Sequence, residues 1–267
     1  MMKSIFKTGF AAAMCGLFAA VELSAATPTD GRRPTETTSL FSRAASSDAK
    51  LLVEELRQLV PSESSSVNAV LRIRQGKERR DVPLRVIVER GTNSWSTTYE
   101  VSAVGDAPAE RLVVERSPSG RSVYRFAKAD KDGKYSALTP VLMDTMAQML
   151  GGSDFAIGEL GLDFINWPEQ QLLAPEMRLG QPCLVLESRR SVAQGPAMIR
   201  SWIDRQTGGI LVAEAYDGKG SLVKEFNLSG SSFKKVNGRY ELEEMTMSSH
   251  QRRSETKLRF ELAAGKP

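Results

Sequence analysis

The chain has 267 residues, 41% of them hydrophobic, and its 36 basic and 32 acidic side chains leave a formal net charge of +4. This length is enough for one large or two small domains with a real core. Basic and acidic residues are mixed along the chain, without a Lys/Arg block or a basic-aromatic array, which argues against a nucleic-acid-binding protein.

The first 26 residues have the pattern of a targeting segment. Lys3 and Lys7 precede an apolar run from Gly9 to Val21, and the small residues at 24–26 form a cleavage site. The apolar run is shorter than the roughly 20 residues needed to span a membrane. We therefore predict a signal peptide over residues 1–26, cut near Ala26, and an exported protein.

A flexible leader and a helix are predicted next. Residues 27–47 are rich in Ser, Thr, Pro and Arg, which is typical of a disordered segment. Ser46, Ser47 or Asp48 can then cap a helix with an apolar stripe, which Pro61 ends. The expected organisation is a signal peptide, a leader over 27–47 and one domain over 48–267.

From Ser66 onward the apolar residues alternate with polar ones at the period of a β-strand. Glycine, proline and Asp/Asn-Gly turns separate about a dozen such segments, including Pro118–Gly120, Asp217-Gly218 and Asn237-Gly238. The pattern predicts a mainly β protein with an antiparallel meander. A closed barrel, a half-open barrel and a sandwich all satisfy this pattern.

An apolar insert from Pro140 to Glu187 interrupts the strand pattern. Within residues 141–150, apolar side chains with helical spacing predict a methionine-rich helix. Ser153 and Asp154 are expected to cap a second short helix that begins near Phe155. On residue type alone, packing in the core is favoured over ligand contact, although methionines also suit surfaces that adapt to apolar ligands.

Several sequence strings resemble the LolA-like, outer-membrane lipoprotein-sorting protein family. They are GGSDF at 151–155, GELGLDFINWP at 158–168, EMRLGQPCLVLE at 176–187, RSWIDRQTGGILVAEAYD at 200–217 and GSLVKEF at 220–226, with the segments 239–247 and 257–262. The resemblance implies a half-open antiparallel β-barrel, in which short helices cover an apolar cavity.

The resemblance further implies a periplasmic carrier for lipid or for the acyl chains of lipoproteins. Its partners would be the acyl chains, an inner-membrane lipid exporter or an outer-membrane acceptor, with the carrier itself a monomer. The insert would be the movable cover, hinged at 151–152, and its expected ligand contacts are Leu142, Met143, Met146, Met149, Phe155, Leu160, Phe164 and Trp167. The alternative is a structural or envelope-sensing β domain with a filled core and no lipid cargo.

The sequence contains no recognisable catalytic or metal-binding motif. His250, the one histidine, lies in a polar turn, and no G-x-S-x-G motif accompanies it. Cys183 is expected to be a small buried residue, since it lies in an apolar strand. One histidine and one cysteine after the signal peptide do not make a zinc site of usual spacing. We therefore expect no enzymatic activity, no cofactor and no metal.

Overall fold

Thirteen of the fifteen strands in the described part of the chain form one large antiparallel sheet. The computed structural model describes residues 39–262, except 118–121, 144, 193–194 and 237–238. The predicted signal peptide and the predicted turns at 118–120 and 237–238 lie outside the described residues. The strands, numbered in chain order, are β1 (Ser65–Gln75), β2 (Glu78–Arg90), β3 (Trp95–Val101), β4 (Glu110–Arg116), β5 (Val123–Lys128), β6 (Thr139–Pro140), β7 (Glu169–Arg178), β8 (Gln181–Arg189), β9 (Met198–Asp204), β10 (Ile210–Tyr216), β11 (Leu222–Asn227), β12 (Phe233–Val236), β13 (Arg239–Leu242), β14 (Glu244–Ser249) and β15 (Ser254–Phe260).

The sheet is a half-open barrel of 13 strands. Its strand order is β6-β5-β4-β3-β2-β1-β15-β14-β11-β10-β9-β8-β7, so β6 and β7 are its two unpaired edges. The hairpin β12–β13 forms a separate two-stranded sheet. Neighbouring strands are antiparallel throughout, which confirms the predicted meander and selects the half-open barrel from the three alternatives.

A helix and the residues before it pack against the sheet. Helix α1 (Ala49–Gln58) begins where the Asp48 carboxylate accepts hydrogen bonds from the backbone N–H groups of Lys50 and Leu51, and it buries Leu52, Val53 and Leu56. Residues 39–47 belong to the same packed body, since Phe41 is buried and the Leu40 N–H donates to the Arg205 carbonyl at 2.7 Å.

This corrects the C-terminal end of the predicted leader. The composition of residues 27–47 is polar on average, but the buried side chains of Phe41 and Ala45 attach its last part to the core.

The chain crosses the open side of the barrel between the two edge strands. Residues 141–168 connect β6 to β7 and contain two single-turn 3₁₀ helices, Leu150–Gly152 and Asp163–Asn166, with the short helix α2 (Ile157–Leu160) between them. Among the described residues, no helix is both long and apolar enough to cross a membrane.

The outer face of β8–β10 carries a buried carboxylate. The Glu187 side chain is 3% exposed and accepts hydrogen bonds from Arg200, its partner on β9, and from Arg189. Burial alone would raise the pKa of Glu187, but the bonds from Arg200 and Arg189 outweigh burial and hold that pKa below its ordinary value.

We expect Glu187→Gln to lower the free energy of unfolding by about 1–2 kcal/mol at pH 7, because it removes the charge that both arginines share. A lowered pKa in the folded state means that the ionised carboxylate stabilises the fold above the pKa of the unfolded chain, near 4.3, and that this contribution is lost as the pH falls further. Urea unfolding of both proteins from pH 7 to pH 3 should show the difference shrinking toward acid. A difference that stays constant over this range would contradict the assignment.

Candidate functional site

The segment that crosses the barrel opening, residues 145–167, is called the cover segment below. The methionine-rich helix predicted over residues 141–150 does not form, which corrects that prediction. The backbone makes turns here instead, with hydrogen bonds from the Thr145 N–H to the Leu142 carbonyl and from the Gln148 N–H to the Thr145 carbonyl. The chain then runs antiparallel to itself through a bridge between Met149 and Ala156.

The physical reason is that ten residues are marginal for a helix without tertiary support. Here the neighbouring chain supplies partners for an extended or turn backbone instead. The Val141 N–H donates to the Tyr124 carbonyl on β5, and the Leu150 N–H donates to the Phe155 carbonyl.

The first half of the cover segment is fastened to the sheet by polar contacts. The Gly151 N–H donates to the Glu110 carboxylate at 2.7 Å, and the Gly152 carbonyl accepts from Arg80 at 2.8 Å. Gly151 and Gly152 both have positive φ angles, of 58° and 66°, which glycine adopts without strain. Gly151 also lies close to the sheet, because a Cβ there would be 3.0 Å from the Val101 side chain.

Asp154 provides the most buried of these attachments. Its carboxylate accepts from Ser254 Oγ at 2.5 Å and from Thr256 Oγ1 at 2.8 Å, both on β15, and lies 3.3 Å from Arg252 Nη1. Arg252 also donates to the Ser153 carbonyl at 2.7 Å. The expectation that Asp154 caps the second helix is therefore wrong: the carboxylate fastens the cover segment to the last strand.

The second half of the cover segment rests mainly on apolar packing. Helix α2 begins at Ile157, and the Glu159 carboxylate accepts from the Ala156 N–H at 2.8 Å at its first turn. Buried side chains of this half, Phe155, Ile157, Leu160, Leu162, Phe164 and Ile165, join the main core. The C-terminal end of α2 fits closely against β5, because a Cβ on Gly161, the residue after α2, would lie 2.1 Å from the Tyr124 hydroxyl.

Two adjoining, mainly apolar spaces lie between the cover segment and the sheet. The inner space, about 60 Å³, is bounded by cover-segment residues and by the inner face of β9, β10, β11 and β14; its walls include Phe155, Leu160, Leu162, Phe164, Ile199, Ile210, Ala213, Phe226, Met245 and Met247. The outer space, about 190 Å³, is bounded by Met146, Met149, Trp167, Arg190, Pro196 and Val223 among others. Glu159, Phe164, Ile199 and Lys224 line both, so the two spaces adjoin.

An ion pair stands at the boundary between the two spaces. Lys224 on β11 is 6% exposed, and its Nζ lies 2.6 Å from Glu159 Oε1 on α2. The strand register pairs Lys224 with Ala215 on β10 and Ser249 on β14. Its neighbour two residues along, Phe226, lines the inner space, and alternation along a strand puts Lys224 on that same face.

Of the eight ligand contacts predicted from the sequence, the structure places six around these spaces. Phe155 and Leu160 line the inner space, Met146, Met149 and Trp167 line the outer space, and Phe164 lines both. Leu142 and Met143 point to solvent, with exposed fractions of 66% and 69%. Because the predicted helix is absent, these two side chains do not share a face with Met146.

Three residues that line both spaces were not predicted as ligand contacts: Ile199, Glu159 and Lys224. Lys224 could have been found, since alternation along the strand puts it on the same face as Phe226. Glu159 could have been recognised because a glutamate in the first turn of a helix commonly accepts a hydrogen bond from the backbone N–H of the residue before the helix.

Neither Cys183 nor His250 lines the two spaces. Cys183 is buried, as expected, and burial followed by the nearby Asp204 carboxylate raises the pKa of its thiol to about 11. His250 is exposed in the turn between β14 and β15. Among the described residues, no three His, Cys, Asp or Glu side chains form a group suited to hold a metal ion.

The chain was compared with protein-family models and with curated proteins, and one family model matches it. A protein-family model described as "Uncharacterized protein" matches residues 138–264, which include the cover segment and all later strands. No curated protein matches the chain.

Three solved structures share the architecture at low sequence identity. A Vibrio parahaemolyticus domain named for outer-membrane lipoprotein sorting is 18% identical and has a TM-score of 0.61, covering 78% of this chain and 87% of its own. A DUF1329 family protein from Desulfovibrio piger is 17% identical, with a TM-score of 0.61 and coverages of 80% and 92%. A LolA superfamily protein from Nitrosomonas europaea is 16% identical, with a TM-score of 0.54 and coverages of 82% and 94%. The chain therefore has a LolA-like fold, which confirms the resemblance at the level of the fold.

Proposed function

We propose that this protein is a periplasmic carrier that binds lipid or the acyl chains of lipoproteins under the cover segment. The single observation that supports it is the pair of adjoining apolar spaces between the cover segment and the half-open barrel. Apolar surface removed from water contributes about 25 cal/mol per Å², so an acyl chain gains by leaving water for such walls. The proposal makes the protein a binding protein and not an enzyme.

The size of the spaces bears on how the carrier would work. Pockets for small molecules are typically about 300–1,000 Å³, whereas the two spaces measure about 60 and 190 Å³. The structure is therefore the closed form of the proposed carrier, and the cover segment has to move before a chain enters. Its second half is the part proposed to move, because its contacts with the sheet are mainly apolar apart from the Glu159–Lys224 ion pair. The first half is fastened by polar contacts to Glu110, Arg80 and the partners of Asp154.

The same small volumes favour a second candidate, a structural β domain whose core is simply filled. In that case the spaces are packing defects, and no ligand enters. The two candidates differ in two expected results: whether lipid co-purifies with the protein, and whether filling the inner space has a functional effect.

The first test is organic extraction of the protein purified from its own cell envelope, followed by mass spectrometry. We expect the carrier to release acyl lipid in an amount comparable to the amount of protein. This ratio of lipid to protein should exceed that of an exported protein of similar size purified in parallel. A protein that emerges free of lipid, and that also fails to bind a fluorescent acyl probe after delipidation, would exclude the carrier.

A substitution that fills the inner space makes the test specific to this site. Ala213 lines that space from β10. We expect Ala213→Leu to weaken binding of the acyl probe at least about tenfold, because the added methyl groups take the ligand's place. The free energy of unfolding should stay within about 1 kcal/mol of wild type, since filling empty space does not require the core to expand. Ala103→Leu, at an exposed position outside both spaces, is the matched control and should leave binding unchanged.

A further inference from the structure

Lys224 is an unusual residue for the wall of an apolar space. It is almost fully buried and lines both spaces. Its direct partners on the neighbouring strands are Ala215 and Ser249, and Phe226 and Met247 lie next to these on the same face. The partner of its ammonium group is Glu159, which belongs to the proposed movable half of the cover segment. The ion pair therefore joins the fixed wall of the site to its cover.

A buried ion pair is weak evidence of a stabilising role. Removing two charges from water costs several kcal/mol per ion, and replacing a buried ion pair by apolar residues of similar volume is often neutral or stabilising. A methionine at 224 and a leucine at 159 would continue the walls on both sides. The pair is better understood through what happens when the cover segment moves.

Lifting α2 from the sheet takes the Glu159 carboxylate away from Lys224. While the cover segment is lifted, water solvates the Lys224 ammonium. When the segment closes over a ligand that holds Glu159 away, the ammonium is buried without a partner, which is strongly unfavourable unless another anion reaches it. A ligand that carries its own anionic group next to its acyl chain supplies that anion, while its chain occupies the apolar walls. A neutral ligand supplies no such replacement.

We propose that the site selects amphiphiles with an anionic head group, carboxylate or phosphate, which replaces Glu159 as the partner of Lys224. This inference rests on the proposed carrier function and names its ligand class. The other charged groups around the outer space have partners of their own: Asp163 accepts from Trp167 Nε1 at 3.2 Å, and Arg190 donates to the Pro196 carbonyl at 3.2 Å. Arg190 also stacks 4.1 Å from the centre of the Trp167 ring. Among the described charged residues, only Lys224 and Glu159 line both spaces.

The test compares single-chain amphiphiles that differ only in the head group. Delipidated full-length protein is titrated with hexadecanoate, hexadecyl phosphate, hexadecanol and hexadecyltrimethylammonium, and the dissociation constants are measured by calorimetry and tryptophan fluorescence. We expect the anionic chains to bind about tenfold tighter than hexadecanol, which is the range of a hydrogen bond to a charged group, and the cationic chain to bind weakest. Tighter binding of the carboxylate indicates a fatty-acid ligand, and tighter binding of the phosphate indicates a phospholipid head group.

Two substitutions are predicted to move the preference in opposite directions. Lys224→Met should abolish the preference for anions while hexadecanol binds at least as tightly as before. Glu159→Gln retains the acceptor for the Ala156 N–H but leaves Lys224 without a competing carboxylate, and should tighten binding of the anionic chains about tenfold further. Lys257→Met, which removes a lysine paired with Glu244 elsewhere on the sheet, is the matched control and should not alter the preference.

The outcomes separate this inference from the carrier function itself. If the chains bind with equal affinity whatever their head group, or if Lys224→Met weakens all of them equally, the anion selection is wrong and the carrier stands. If none of the four binds, the carrier function fails as well. General misfolding does not imitate the expected result, because Glu159→Gln is predicted to gain affinity.

Discussion

Asp154→Ala is expected to lower the free energy of unfolding by about 3 kcal/mol, the cost typical of removing one partner from a buried charged network. The Asp154 carboxylate is fully buried and accepts from two hydroxyl groups on β15, those of Ser254 and Thr256. Alanine leaves the Ser254 hydroxyl without this acceptor and removes the carboxylate beside Arg252. Urea or guanidinium unfolding, followed by circular dichroism, measures the loss.

The same substitution should loosen the first half of the cover segment more than the sheet. Hydrogen exchange reports local opening separately from global unfolding. We expect the amides of Gly151, Asp154 and Phe155 to exchange faster than the global loss of stability explains, while amides in the centre of β8 follow the global value.

Asp154→Asn is the matched control for this network. It keeps a side-chain oxygen that accepts a hydrogen bond but lacks the charge that faces Arg252, so we expect about half of the destabilisation. An Asp154→Ala protein with the stability of wild type, or with unchanged exchange at Gly151, would show that Asp154 does not hold the cover segment.

The sheet could be predicted from the sequence because its determinants are local. Alternation over residues such as Leu84, Val86 and Val88 sets which face of β2 is buried, and Asp217-Gly218 marks the turn between β10 and β11. The Asp48 cap and the end of α1 before Pro61 are local signals as well. The alternation did not determine whether the sheet closes into a barrel, because closure depends on how the last edge strand meets the first.

The cover segment could be located but not folded from its sequence. Helical spacing of Leu142, Met146 and Met149 predicted a helix, but the backbone there pairs with β5 and with itself, through contacts that are distant in sequence or invisible to periodicity. Asp154 has a residue type suited to capping, yet its partners are 100 and 102 residues away. The Glu159–Lys224 pair spans 65 residues in the same way. Side-chain partners across the barrel are set by closure of the sheet, so local patterns do not reveal them.

The contact of the cover segment with β5 leads to the second large expected effect. Gly161 has φ −97° and ψ 1°, a conformation open to alanine, so its requirement for glycine is steric and not conformational. A Cβ at this position would lie 2.1 Å from Tyr124 Oη and 2.1 Å from Cε1 of the same ring. The Tyr124 ring is buried in the main core, and a rigid ring does not move aside as the end of a flexible side chain would.

We expect Gly161→Ala to destabilise the protein by about 2–3 kcal/mol, the upper range for adding a methyl group to a packed interior. Tyr124→Leu removes the obstructing ring atoms and by itself costs a few kcal/mol through the cavity it leaves. In the double variant the new methyl group enters that cavity. The loss of stability measured for the double variant should therefore be smaller than the sum of the two single losses by at least about 1 kcal/mol. Denaturant unfolding of the four proteins in this cycle gives the coupling directly. Additive costs, or a Gly161→Ala protein as stable as wild type, would mean that α2 already stands off β5 in solution, and the closed form proposed for the carrier would then not be its resting state.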